Sequence, residues 1–209
     1  MDDLRGRWPA RLASHTDLRD RLLAAYAAPG RHYHDTRHLA EVLAHLDALL
    51  AQPGTVDVDR DAVVLAAWFH DAVYDGRPDD VHRSAELATG SLTGAGLAAE
   101  LVAEVGRLVR LTLEHRPAED DLAGQVLSDA DLAILAAGPE RYAEYVAGVR
   151  EEYRHLDDDT FREGRAAILR TLLAGPRLFR TAHAVRAWEA AARSNVEREL
   201  AGLSSPGPA

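Results

Sequence analysis

The chain contains the stretch Ala62-Val63-Val64-Leu65-Ala66-Ala67-Trp68-Phe69-His70-Asp71, an apolar run that ends in a histidine and an aspartate. A charge at the end of so apolar a run is costly to bury unless a partner neutralises it. Imidazole nitrogens and carboxylate oxygens are ligands for divalent metals, so a bound cation would be such a partner. The plainer alternative is a pair of polar residues that finish a helix.

Helical periodicity dominates the chain on both sides of this stretch, and no alternating strand pattern stands out. Asp35 is a candidate N-cap for a helix whose apolar face carries Leu39, Val42, Leu43, Leu46 and Leu50. We predict an all-α fold, with residues 1–203 as a single domain and residues 204–209 as a disordered tail. The predicted helices cover residues 4–27, 36–51, 57–74, 79–93, 97–114, 121–136, 140–153, 160–173 and, from 178 or 181, to 200.

Composition excludes several classes of function. The 209 residues include no cysteine, so disulfides and thiol nucleophiles are excluded and any metal must be held by His, Asp or Glu. The net charge of -10 argues against a general nucleic-acid partner. No apolar run reaches the roughly 18 residues of a membrane span, and the first residues lack the apolar core of a signal peptide. We therefore expect a cytoplasmic protein without a membrane partner, in an oligomeric state that the pattern does not specify.

Two further positions extend the His-Asp pair into a candidate metal site. His38 lies 32 residues before His70, and Asp131 lies 60 residues after Asp71. The predicted helices that carry them could direct all four side chains into one bundle interior. Adjacent helical residues point roughly 100° apart, so His70 and Asp71 could bracket a metal only over a groove between helices. Asp129 competes with Asp131, but the two face nearly opposite ways on a helix.

Several longer segments, taken together, resemble one known family. They are Tyr33-His34-Asp35-Thr36-Arg37-His38-Leu39, Trp68-Phe69-His70-Asp71-Ala72-Val73-Tyr74-Asp75, Ser84-Ala85-Glu86-Leu87 and Asp129-Ala130-Asp131-Leu132-Ala133-Ile134-Leu135, followed by matches at 149–153, 164–165, 192–195 and 199–200. In this order they resemble the HD superfamily of metal-dependent phosphohydrolases, and more narrowly its small bacterial predicted metal-dependent HD phosphohydrolases. The resemblance covers roughly residues 20 to 202.

The resemblance implies an HD-domain-like helical bundle with C-terminal helices packed on it. By analogy, His38, His70, Asp71 and Asp131 bind one or two divalent ions, which could be Mn, Fe, Mg, Zn, Co or Ni. The Ala-Asp pattern of related enzymes favours Asp131 over Asp129. The implied reaction is hydrolysis of a small phosphorylated metabolite or nucleotide by a metal-activated water. Where the family tends to show Asn-Glu, this chain has Asp80-Val81, which leaves no acidic group at position 81.

Two residues are candidates for catalytic roles beside the metal. Asp75 lies four residues after Asp71, so on a continuous helix it would face the same pocket and could act as general base or position a water. On spacing alone it could equally be a loop aspartate. His34 lies four residues before His38 and could contact the substrate phosphate or the leaving group. Its alternative is a structural contact beside Tyr33.

The remaining polar residues leave other functions open. Arg37, Arg77 and Arg83 flank the motifs and could clamp a phosphate. An HD-type di-iron oxygenase would need extra histidines, for which His82 and His115 are candidates, although we expect His115 to be an exposed residue at a helix C-terminus. A non-catalytic binding or signalling module with a structural metal is the third possibility. Glu151 and Glu152 could then make partner contacts, or belong to an ordinary polar surface.

Overall fold

A computed structural model describes residues 2–204 of the chain, with side chains from Leu4 onward. Within this range the structure contains eleven α-helices and no β-strand, which confirms the all-α prediction. In chain order, α1 to α11 are Asp2–Gly6, Thr16–Tyr26, Thr36–Leu50, Arg60–Phe69, Asp80–Gly94, Ala99–Leu111, Leu122–Leu132, Pro139–Glu152, Asp158–Leu173, Ala182–Ala187 and Glu189–Ser204. Short 3-10 turns occupy Ala10–Leu12, Pro53–Thr55 and Ala133–Ala136.

The apolar run of residues 62–69 forms most of α4, the central helix. Asp59 caps its N-terminus by accepting hydrogen bonds from the backbone N–H groups of Asp61 and Ala62. Trp68, Phe69 and five further α4 side chains are completely buried. The helices α3, α5, α6 and α7 all contact α4, because burying so continuous an apolar surface requires neighbours on every side.

The helix α3 forms as predicted, beside α4. The Asp35 carboxylate accepts from Arg37 N at 2.8 Å and from His38 N at 3.1 Å, which confirms the N-cap. Its apolar face buries Leu39, Val42, Leu43 and Leu46 as expected. It also buries Leu49, whereas the expected Leu50 is only partly buried. The cap and the apolar face together fix both the start and the rotation of the helix that carries His38.

The prediction of one helix over residues 4–27 is wrong. The structure places α1, a 3-10 turn and α2 there, and Pro9 lies in the break between α1 and the 3-10 turn. Proline lacks a backbone N–H and disfavours a helical conformation at the residue before it, which here is Trp8. The Trp8 ring instead packs edge-on against Trp68, with ring centroids 4.9 Å apart.

The prediction that one helix runs from 57 to 74 is wrong at its C-terminal end, whereas the helix begins at Arg60, three residues after the predicted start. The helix α4 stops at Phe69, with His70 as its C-cap. Backbone groups beyond it are bonded to other segments: Arg31 donates to the carbonyls of Asp71 and Ala72, at 2.5 and 3.1 Å, and Val73 N donates to Ser84 Oγ at 3.0 Å. These partners replace the intrahelical bonds, so the chain turns away at the His-Asp pair.

The C-terminal helices pack on the rest of the molecule. The helix α11 contacts α9 and the 3-10 turn at Ala133–Ala136. The predicted last helix is divided at Trp188 into α10 and α11. Ser204 is helical, contrary to the predicted tail, and residues 205–209 lie outside the described residues. None of the helices in residues 2–204 combines the length and apolarity that crossing a membrane requires.

Candidate metal centre

Three segments that are distant in sequence bring a histidine–aspartate cluster together. His38 lies in the first turn of α3, His70 and Asp71 follow the C-terminus of α4, and Asp131 lies in the last turn of α7. The helices α3, α4 and α7 contact one another, so the cluster sits where they meet. His70, the C-cap of α4, and Asp71 reach this point between the three helices from the turn that follows α4.

The donor atoms of His38, His70 and Asp71 converge closely enough to hold a metal ion. The two Nε2 atoms of the histidines are 3.1 Å apart, and Asp71 Oδ2 is 3.0 Å from His70 Nε2 and 3.5 Å from His38 Nε2. One ligand atom from each residue lies within 4.8 Å of the others. The side chains are 3%, 1% and 14% exposed, so the cluster is largely shielded from water.

The hydrogen bonding of His70 prepares its Nε2 as a ligand. Its Nδ1 lies 2.8 Å from the carbonyl oxygen of Ala67. A carbonyl oxygen can only accept, so Nδ1 carries a hydrogen and the Nε2 lone pair of the neutral ring faces the cluster. Such outer hydrogen bonds orient imidazole ligands in metal sites.

The two aspartates of α7 have different partners. Asp131 Oδ1 is 3.2 Å from His38 Nε2 and 3.6 Å from His70 Nε2, so it borders the cluster. Asp129 is fully buried and accepts hydrogen bonds from Arg180 N and Thr181 N at 2.8 and 2.7 Å. It therefore ties α7 to the start of α10. The geometry favours Asp131 over Asp129 as a fourth ligand.

The electrostatics of the cluster suit a bound cation. Burial alone would lower the pKa of His38, but hydrogen bonds with Asp131 and Asp71 outweigh it and raise that pKa to about 10. The pKa of Asp71 is lowered despite its burial, because His70 and His34 lie close to it. The carboxylates of Asp71 and Asp131 are therefore stabilised by positive charge beside them. A divalent cation would supply that charge and use the same nitrogen and oxygen atoms as ligands.

His115 is not the exposed C-terminal histidine that we expected. Its Nε2 lies 3.6 Å from Asp131 Oδ2, its side chain is 17% exposed, and its Nδ1 lies 3.1 Å from Ser128 Oγ. Its backbone adopts a φ of 52°, in the left-handed region that non-glycine residues rarely enter. The chain reverses there after α6, and the reversal turns the ring toward the cluster. His82, in contrast, is exposed on α5.

His34 belongs to the site through Glu152, a residue for which we left open a partner contact or an ordinary polar surface. Its Nδ1 lies 2.7 Å from Glu152 Oε2, and its ring stacks on Tyr74 with centroids 4.2 Å apart. Glu152 Oε1 also accepts from the backbone N–H groups of His32, Tyr33 and His34 at 2.8 to 2.9 Å. The Glu152 side chain is only 2% exposed. Burial opposes ionisation, but His34 and these donors lower the pKa of Glu152 to about 2.

A sequence signal for Glu152 existed in the helical phase of α8. Tyr145 and Val149 are buried on one face of that helix. Glu152 lies seven residues after Tyr145 and three after Val149, so it shares their face. Glu151, one position earlier, is exposed and pairs with Arg154 at 3.0 Å.

The structure removes the geometric basis for a catalytic Asp75. We expected it one helical turn after Asp71, but the helix ends before both residues. Its carboxylate is 56% exposed and lies 2.6 Å from Arg83 Nη1, while its backbone N–H donates to Asp80 Oδ2 at 2.7 Å. Asp80 is buried and holds this loop by also accepting from Arg77 N. A catalytic role for Asp75 stays a prediction without support from its position.

A cavity of about 510 Å³ extends from the cluster. Asp71, Asp131, His34 and His115 line it on the cluster side. Segments of α8 and α9, the loop that follows α4, residues 112–113 after α6 and residues 132–135 form most of the remaining walls. The volume lies within the roughly 300–1,000 Å³ of typical small-molecule sites.

Comparison with known proteins adds no relative. The chain matches no protein-family model, no curated protein and no solved structure. The cluster and the cavity are therefore the structural basis for a functional proposal.

Proposed function

We propose that this protein is a metal-dependent phosphohydrolase that acts on a small phosphorylated substrate. One observation carries the proposal: the His38, His70 and Asp71 donor atoms converge, almost fully buried, where a cavity of substrate size begins. The sequence resemblance described above points to the same chemistry. A divalent cation at this position would supply Lewis acidity to a phosphoryl oxygen and to a water molecule.

The residues of the cluster have complementary tasks in such a reaction. With a cation bound, His38 and His70 would lose any proton on Nε2 and coordinate through that atom. The Ala67 carbonyl holds the His70 ring in one orientation. Asp71 and Asp131 would contribute the negative charge that balances the cation. The almost complete burial of both histidines excludes water from their side of the site, which strengthens every electrostatic interaction there.

His34 is the candidate for proton transfer. The ionised Glu152 carboxylate accepts from Nδ1, which leaves Nε2 as the ring atom that can exchange a proton with a substrate oxygen. A carboxylate that holds an imidazole in one tautomer and orientation is a known arrangement in hydrolytic enzymes. His34 lines the cavity, so a substrate there would be within its reach.

An HD-type oxygenase is the second candidate, and the position of His115 favours it. Oxygen chemistry on this scaffold would need an additional histidine, and His115 Nε2 lies 3.6 Å from Asp131 Oδ2. The two candidates differ in what they consume. A hydrolase releases phosphate without oxygen, whereas an oxygenase requires iron and takes up oxygen.

The first test is elemental analysis of protein that is purified without chelator or added metal. We expect about one or two equivalents of a divalent metal in the native protein, as such sites hold. His70→Ala should lose it. His155→Ala is the matched control, because His155 is exposed and distant in sequence from the cluster. Absence of metal in the native protein, even after soaking with manganese and iron, would overturn the proposal and leave a helical binding module.

The second test measures phosphate release from p-nitrophenyl phosphate by the metal-loaded protein. His34→Asn should lower kcat by roughly 10²- to 10⁴-fold, the usual contribution of a general acid or base, without loss of metal. His82→Asn is the control, because His82 is exposed on α5. Oxygen uptake by the iron-loaded protein, with no phosphate release from any ester, would support the oxygenase instead.

A further inference from the structure

The walls of the cavity combine polar side chains of the cluster with a larger number of apolar side chains. Beside the cluster they are polar, with Asp71, Asp131 and His115. The rest is largely apolar, and six of its side chains are Leu113, Ile134, Val149, Phe161, Ile168 and Leu172. We call this part the apolar chamber.

One face of α9 supplies much of the apolar chamber. Phe161, Ile168 and Leu172 are separated by seven and four residues, which places them on the same side of the helix. The helix also packs against α11, which holds α9 in place. A wall on a regular helix is preorganised for an elongated ligand.

Exposed apolar side chains gather at this chamber. Among the described residues, four large hydrophobic side chains are exposed, and two of them, Leu113 at 48% and Ile168 at 56%, line the cavity. They come from different parts of the chain, Leu113 from the turn after α6 and Ile168 from α9. Grouped apolar exposure beside a polar site indicates a surface that a ligand covers.

The cavity offers no cluster of free cations for several phosphate groups. Its two arginines are Arg77 and Arg165. Arg165 is buried and already bonded to other side chains, with Nε 2.7 Å from Glu199 Oε1 and Nη2 2.6 Å from the Tyr145 hydroxyl. Arg77 is largely exposed and its Nε lies 3.2 Å from Asp79 Oδ1. A polyphosphate would therefore meet mostly carboxylates and apolar groups beyond the metal.

We propose that the substrate is a phosphomonoester of an apolar alcohol, an alkyl or aryl monophosphate. Its phosphate would lie at the cluster and its apolar part in the apolar chamber. The inference rests on the proposed function, and it narrows the substrate class from phosphorylated metabolites in general. Hydrolysis would break the bond between phosphorus and the ester oxygen. Water supplies the oxygen that joins phosphorus, and a proton passes to the alcohol that leaves.

The test is calorimetric binding of n-alkylphosphonates, which are not hydrolysed, to manganese-loaded protein. From ethyl- to octylphosphonate we expect Kd to fall about threefold to fourfold per methylene, the value for transfer of a methylene out of water. A Kd that does not change with chain length would overturn the proposal. So would tighter binding of adenosine monophosphate than of hexylphosphonate.

A cavity-filling variant tests where the chain binds. Gly164 lines the cavity, and a Cβ built there meets no atom within 4 Å. Gly164→Leu should fill part of the chamber without loss of the fold, because leucine is a better helix former than glycine. We expect the Kd of octylphosphonate to rise about tenfold, as for roughly two excluded methylenes, and that of ethylphosphonate to stay constant. Gly90→Leu is the control, a helical glycine of α5 with equally open space. Equal effects of both variants would overturn the assignment to the chamber.

A parallel series of n-alkanols on metal-free protein separates the two proposals. One outcome is that alkanols bind more tightly as they lengthen, while the phosphonate of equal length binds manganese-loaded protein no more tightly than the alkanol. That outcome would contradict the phosphohydrolase and leave the chamber as an apolar site. The other outcome is that the protein binds metal and releases phosphate, but the Kd of the alkylphosphonates does not change with chain length. That outcome would contradict only the proposal of an apolar substrate.

Discussion

Asp129 and Asp131 are two positions apart in α7, and their substitutions should affect different properties. Asp131→Asn should weaken manganese binding by about 100-fold or more, since loss of even an outer partner of a ligand costs roughly 10- to 100-fold. Asp129→Asn should leave metal affinity unchanged. It should lower the free energy of unfolding by about 1–3 kcal/mol, because one buried backbone N–H loses its acceptor.

Calorimetric titration with manganese and urea unfolding of the metal-free proteins measure both properties. Each variant is the control for the other, since the chemical change is identical. The assignment of Asp131 to the metal would be wrong if Asp129→Asn were the variant that lost affinity.

The lowered pKa of Glu152 predicts that the protein loses stability at acidic pH. Its pKa is held near 2, far below its ordinary 4.5, by His34 and by backbone donors. A depressed carboxyl pKa stabilises the fold above the unfolded-state value, and that stabilisation is lost as pH falls from about 4.5 to about 2. The shift corresponds to roughly 3 kcal/mol, which Glu152→Gln should remove at neutral pH.

Urea unfolding of metal-free protein at pH 6, 5, 4 and 3 tests this expectation. The gap in unfolding free energy between native protein and Glu152→Gln should narrow as pH falls below about 4.5. Glu151→Gln should differ from the native protein by at most roughly 1 kcal/mol at any pH, because its pair with Arg154 is exposed. A gap that stays constant with pH would show that ionised Glu152 does not stabilise the fold.

Substitutions at two helix caps should distinguish an effect on the stability of the protein from an effect on the geometry of the site. Asp35 caps α3 and Asp59 caps α4, each by accepting from two backbone N–H groups. Replacement of either by alanine should cost about 1 kcal/mol of unfolding free energy. Only Asp35→Ala should also weaken metal binding, because His38 lies in the first turn of α3. The cap of α4 lies at the opposite end of its helix from His70.

Urea unfolding and manganese titration of both cap variants provide the comparison. An equal loss of metal affinity in Asp35→Ala and Asp59→Ala would mean that general stability, and not the position of His38, controls the site.

The contrast between α3 and α4 explains how far sequence analysis could go. The bounds of α3 were predictable because its signals are local: a cap at Asp35 and an apolar face with helical spacing. The end of α4 was not, because Arg31 and Ser84, 40 and 11 residues away from the groups they bind, hold the backbone beyond Phe69. The expected position of Asp75 failed for that reason.

The same distinction applies to the candidate site. The grouping of His38, His70 and Asp71 was predictable because their residue types and order suit one metal. His115 approaches the cluster because its backbone is left-handed, and no glycine in the sequence marks that position. The contact between Glu152 and His34 joins residues 118 positions apart. Such contacts depend on how helices pack, which a single sequence encodes only indirectly.

The candidate metal site joins distant parts of the chain, so a bound ion should stabilise the whole molecule. Its donors come from the start of α3, the end of α4 and α7, all of which surround the apolar core. A ligand that binds only the folded state adds RT ln(1 + [L]/Kd) to the unfolding free energy. At about 100 times Kd, manganese should therefore add about 2.7 kcal/mol.

Urea unfolding at increasing free manganese measures this linkage. Above Kd, each tenfold rise in manganese should add about 1.4 kcal/mol, with one transition and an unchanged m-value. His70→Ala should show no dependence on manganese, whereas Asp129→Asn should keep the full dependence from a lower starting stability. An added transition, with only part of the unfolding signal shifted by manganese, would mean that the ion stabilises one segment. If manganese did not change the unfolding free energy of the native protein, the cluster would not be a metal site. The close approach of two nearly buried imidazoles, 3.1 Å apart, would then need another explanation.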